Sequence, residues 1–251
     1  MIAESFDSYC GPPPVPDSIW LQWNFDPFAI ALMALIAIGW FTQGRRDSAG
    51  RAAILGALVL VGVAFLSPIC ALTVALFSVR VAHHVILISV TAPLLALALP
   101  WRGGPRLPLA LLAVLSAITL WIWHAPLAYE WAISAALPYW LMQLTLLATS
   151  WLFWREIFSP QRQVGPSILA LLSFVAQMGL LGAILVFARR PIYPPHFLTT
   201  EPFGISALSD QQLAGLVMWV PAMFPYIAVA LWLLMRFLSS PDDTKRPETP
   251  V

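Results

Sequence analysis

Charge is what this sequence has least of. Only 10% of its 251 residues are charged, against about a quarter in a soluble globular chain. The net charge is +1 and the basic residues are scattered, which leaves no electrostatic footprint for a nucleic acid. Lysine is reduced to Lys245 near the C-terminus, so a retinal-type Schiff base inside a helix bundle is excluded. No apolar segment carries a carboxylate at mid-depth, which argues against an ion-coupled pump. Alternating strands are missing too, and runs such as AAILGALVLVGVAFL (52–66) do not suit a membrane barrel. The opening MIAESFDSYCGPPPVPDS has neither a basic stretch nor an apolar core of its own. The first apolar segment is therefore expected to stay in place as a span rather than be cleaved as a signal.

What the chain has is apolar sequence: 60% hydrophobic residues and a mean hydropathy of +0.81. Runs near the roughly 20 residues that cross a bilayer recur along it. They predict an all-α, polytopic membrane bundle of about seven transmembrane helices: Pro27 to Phe41, Ala52 to Val74 with a Ser67-Pro68 break, Val79 to Leu99, Leu107 to Trp123, Pro138 to Phe158, Pro166 to Phe187 and Gln212 to Leu238. Trp20 and Trp23, in IWLQWNFDP, suit an interfacial belt before the first span. Residues 1–26 then form an external tail, 27–238 the membrane domain, and the polar, Pro-rich 239–251 a disordered cytoplasmic tail. No internal repeat is visible.

Loop charge gives an orientation. With the N-terminus outside, the cytoplasmic side holds Arg45, Arg46, Arg51, Arg102, Arg106, Arg155, Arg162, Arg236, Lys245 and Arg246; the outside holds Arg80, Arg189 and Arg190. Positive residues gather on the cytoplasmic side of membrane proteins, so the reading is N-out and C-in.

That orientation collects the reactive side chains on one face. His83 and His84 open the third span, His124 ends the fourth in WIWHAP, and His196 lies in the loop before the seventh. Cys10 and Cys70 map to the same side. Imidazole and thiol together suit copper or zinc, and thioethers such as Met142, Met178, Met218 and Met223 favour Cu(I). Competing readings are plain ones: interfacial hydrogen bonding for a histidine, packing for a methionine, a disulfide for the two cysteines. Adjacent helical residues point about 100° apart, so at most one of His83 and His84 serves a given site. Asp210, in SDQQLAGLVMWVPA, reads first as a cap for the helix it opens.

The stretches FSVRVAHHVILISVTAPLLALALP, WIWHAPLAYEWAI, ARRPIYPPHF and ALSDQQLAGLVMWVPA resemble the CtaG-type cytochrome c oxidase assembly family, over roughly residues 23–238. The resemblance implies a multi-pass protein of the bacterial inner membrane. It would assist a haem–copper oxidase subunit during assembly, delivering copper received from a periplasmic donor, without catalysing a reaction. In the family's span-three pattern, S-V-H-M-x-x-H, this chain has Arg80 at the first histidine and keeps the second as His84; the W-H-x-P histidine is His124, and Gln143 stands where relatives carry another histidine. The implied Cu(I) ligands are His84 and His124, with Cys70 or a methionine third, and His83, His196 and Met142 as weaker candidates. Haem binding between spans three and four, or a scaffold without metal, are the alternatives.

Overall fold

The computed structural model describes residues 9–100 and 106–239. Residues 1–8 of the tail, Arg102, and the C-terminal stretch with Lys245 and Arg246 lie outside the described residues. No strand occurs among the described residues, so the all-α reading holds. Eleven α-helices follow in order: α1 (Pro27–Gln43), α2 (Ser48–Phe65), α3 (Ile69–Ala75), α4 (Phe77–Val85), α5 (Ala92–Ala98), α6 (Leu109–His124), α7 (Pro126–Ile133), α8 (Ala136–Ile157), α9 (Val164–Val186), α10 (Ala207–Trp219) and α11 (Phe224–Leu238). A π-helical stretch, Ile86–Thr91, joins α4 to α5.

All seven apolar stretches of the sequence fold as helix. Four helical units are long and apolar enough to cross a membrane: Ser48–Phe65, Phe77–Ala98, Val164–Val186 and Ala207–Leu238. The pair α6 and α7 makes a fifth if taken as one bent span. The two remaining stretches differ in kind. Helix α1 has 17 residues, the lower limit for a crossing, and α8 has 22 but interrupts its apolar run with tyrosine, tryptophan and Gln143.

Hydrogen bonds fix which helix ends lie together. Arg45 N–H donates to Ala98 at 2.9 Å, and Arg162 Nη2 to Leu107 at 2.6 Å, so the end of α1, the end of α5, the start of α6 and the end of α8 meet. Opposite them, Asn24 N–H donates to Leu66 at 3.0 Å, Tyr193 Oη to His124 at 2.7 Å and Thr199 Oγ1 to Ala75 at 2.6 Å. The bundle therefore has an arginine end and a histidine end, and successive stretches run alternately between them.

Local chemistry sets the breaks. Asp26 accepts from Phe28 N (2.7 Å) and Ala29 N (3.1 Å), and Pro27 at the first helical position loses no bond, so α1 begins sharply. Pro126 forces Ala125 into an extended conformation, with ψ 128°. Helix α6 therefore ends at His124, and α7 leaves at 77°. Helices α9 and α10 touch backbone to backbone. A Cβ on Gly182 would lie 2.8 Å from the Gly215 carbonyl, and one on Gly215 would lie 2.6 Å from that of Gly182, so small residues permit the crossing.

The π stretch follows from Pro93. In π register Ala92 N–H donates to Leu87, five residues back. Pro93 has no N–H to give Ile88, and that carbonyl is satisfied from other helices: by the Trp154 indole at 3.0 Å and the Tyr226 hydroxyl at 3.4 Å.

Candidate functional site: a buried histidine chamber

Helix α4 begins at Phe77, where its first amides need partners. Asp210 of α10 provides them: its carboxylate accepts from Phe77 N at 2.6 Å, from Ser78 N at 3.2 Å and from the Ser78 hydroxyl. The expected capping role is real, but it serves the neighbouring helix. The cap of α10 itself is Ser206, whose Oγ accepts from Ser209 N at 3.1 Å. The reason is spatial: α10 packs along α4 and brings the carboxylate to the free end of its neighbour.

With α4 anchored, His84 lies two turns inside the helix and 1% exposed, facing the 4% exposed His124 at the end of α6. Their ring centroids are 5.6 Å apart at 81°. His124 Nδ1 meets the Leu120 carbonyl at 2.8 Å, which makes Nδ1 the protonated nitrogen and leaves Nε2 with its lone pair. Buried His124 Nε2 and both ring nitrogens of His84 have no hydrogen-bond partner. The His83 ring, 5.9 Å from that of His84 and with both nitrogens likewise unpartnered, lies edge-on to Phe65 at 5.0 Å.

Cys70 and His196, two of the other expected ligands, are engaged elsewhere. Cys70 is disulfide-bonded to Cys10, and this corrects the expectation of a Cys70 ligand, since a disulfide sulfur carries no thiolate charge. Its burial in α3 did not hinder pairing, because the tail itself comes in to meet it. Tyr9 stacks on Tyr139 at 4.3 Å, and the Tyr139 hydroxyl lies 3.7 Å from Cys10 Sγ. His196 is also engaged: Nε2 meets the Tyr129 hydroxyl at 2.7 Å and Nδ1 faces the Ala75 carbonyl at 3.3 Å. Burial first, and the Arg80 charge second, push the His196 pKa down to about 4. Met142 is fully buried on α8. Among the described residues no cluster of three or more His, Cys, Asp or Glu side chains could hold a metal, so the pair offers two nitrogens.

Arg80 lies one turn before His84 and is 1% exposed. Its Cζ sits 5.3 Å from the Tyr139 ring centroid. Neither Asp210 nor Glu130 pairs with it, and among the described residues no carboxylate stands at ion-pair distance. Tyr129, Tyr139 and Tyr193 complete the walls. Sequence reasoning missed these three, although each stands near a proline (PLAY, LPY, PIYPP) beside a helix end that the topology places with the histidines.

The family model for the cytochrome c oxidase caa3 assembly factor matches residues 34–240. The chain belongs to that family. No curated protein and no solved structure shows a significant match to it. As a caa3 assembly factor it has an oxidase as its partner during assembly. The helical bundle, with four to five candidate crossings, is consistent with work in a membrane.

Proposed function

We propose that this assembly factor binds copper as Cu(I) between His84 and His124 and passes it to a haem–copper oxidase subunit. The observation that carries the reading is the facing pair itself: two buried imidazoles 5.6 Å apart, one with its tautomer set by a backbone carbonyl, with bare nitrogens between them. A carbonyl holding the far nitrogen of a ligating histidine is the usual outer support of a metal site. Two neutral nitrogens give a low-coordinate site, suited to a soft monovalent ion that must leave again. The histidine end faces outside the plasma membrane of a bacterium, because the opposite end carries Arg45, Arg46, Arg51, Arg106, Arg155, Arg162 and Arg236. A periplasmic carrier supplies the ion there.

Titration of purified protein with Cu(I), with the His84→Ala, His124→Ala double variant beside it, tests this. One ion per chain is expected for the wild type and none for the variant; equal stoichiometry in both sinks the reading. A second reading, a scaffold without metal, draws on the fixed positive charge of Arg80 so near the pair. It predicts no Cu(I) binding by the wild type.

A further inference from the structure

Arg80 poses a problem that copper does not solve. A guanidinium stays charged at any pH a protein meets. Burying it without a counter-charge costs several kcal/mol. Its surroundings supply none: the neutral side chains of Tyr139 and Tyr129 lie against it with their hydroxyls in hydrogen-bonding reach, and the His83 and His196 rings are near. The nearby carboxylate of Asp210 is spent on three bonds at the start of α4. Glu130 is half-buried and forms no ion pair among the described residues. Stacking over Tyr139 offsets part of the cost. Yet Nε and Nη1 of Arg80 have no hydrogen-bond partner, and Gln143, 1% exposed on α8, lies beside Tyr139.

We propose that Arg80 holds one small monovalent anion, a halide or a small carboxylate, within the histidine chamber. A planar cation with unpartnered N–H donors suits such a ligand, and the Gln143 amide beside Tyr139 adds a neutral donor. Size follows from burial. At 1% exposure, with Tyr9 stacked over Tyr139 and Cys10 tied to Cys70, a side chain of another protein cannot reach the guanidinium. The anion also makes the chamber close to neutral, whether or not a cation sits between His84 and His124, so the proposal does not depend on copper.

The test uses the full chain in detergent with a chelator present, followed by thermal unfolding. Sodium chloride and sodium formate are titrated against sodium gluconate at constant ionic strength; gluconate is too bulky for the chamber. A saturable rise in midpoint of roughly 2–4 °C in chloride, formate or both is expected, and the two arms tell halide from carboxylate. Arg80→Gln should abolish the response and melt in gluconate no lower than the wild type. Arg80→Lys should retain part of the response. Coincident wild-type curves in all three salts, as when ordered water satisfies the guanidinium, overturn the proposal. So does a rise that grows linearly without saturating, or a full response in Arg80→Gln.

Discussion

Three aspartates cap helices, and two of them, Asp47 at the arginine end and Asp210 at the histidine end, have opposite settings. Asp47 accepts from Gly50 N at 2.9 Å in open solvent and pairs with Arg45 beside it. Asp210 does the same chemistry for α4 with no exposed surface, from a helix more than a hundred residues away in sequence. The contrast extends to the whole of each end. At the arginine end, some cations find partners close in sequence: Arg162 bonds Glu156 at 2.6 Å, and Arg46 lies over Trp40 at 4.5 Å. At the histidine end, polar groups are buried, several lack partners, and long-range ties hold the walls in place. Exposed pairs add little stability because water competes for them. Buried polar groups left unpaired are costly and are retained where they serve a site.

Removing the disulfide should give the largest effect. Cys10→Ser opens a loop spanning 60 residues, for which chain entropy predicts a loss of about 4 kcal/mol. Denaturant unfolding in detergent measures it, and a wild-type midpoint would show that the tail does not brace the histidine end. The pH response comes next. His196 is neutral in the folded chain, with its pKa down at about 4, below the unfolded value of about 6.5. The unfolded state therefore binds more protons between those values. Stability contributed by the neutral ring is full above pH 6.5 and is lost as pH falls towards 4, by roughly 3 kcal/mol. His196→Phe should flatten that slope; an unchanged slope would assign it to another group.

Asp210→Ala leaves the first amides of α4 buried and unsatisfied, at a cost of about 2–3 kcal/mol. Asp47→Ala should cost least of all. The bond from Arg45, followed by that from Gly50, holds the Asp47 carboxyl below the usual range. Its contribution is present above that range and fades as pH falls through it, and water can replace the lost cap. Melting the two variants side by side compares the ends directly, and equal losses would erase the distinction drawn between them.

Hydropathy was enough to read the helices: all seven apolar runs fold as helix, and four to five units are long and apolar enough to cross a membrane. The gathering of four histidines and two cysteines was legible from alternation alone, since each stands where a stretch meets the same end. Partnership was not. Asp210 looked like a cap in sequence, but which helix it caps depends on how α10 lies against α4. A disulfide was one reading of Cys10 and Cys70, and only the fold shows the tail coming in through Tyr9 to make it. The departure at Arg80 from the family's histidine was visible at once; its lack of a carboxylate partner among the described residues shows only in how the helices pack.

The glycine contact between α9 and α10 has a mechanical consequence. Backbones that touch at Gly182 and Gly215 leave no slack for one helix to slide past the other. Asp210 then clamps α10 to the start of α4, so these three helices form one stiff post carrying His84. His124 hangs differently, on a helix that stops at Ala125 and is tied to the post through Tyr193 in the loop after α9. Any widening of the gap between the two rings must therefore come from the α6 side, with the Ala125–Pro126 corner as its hinge and the Tyr193 hydroxyl as its tether.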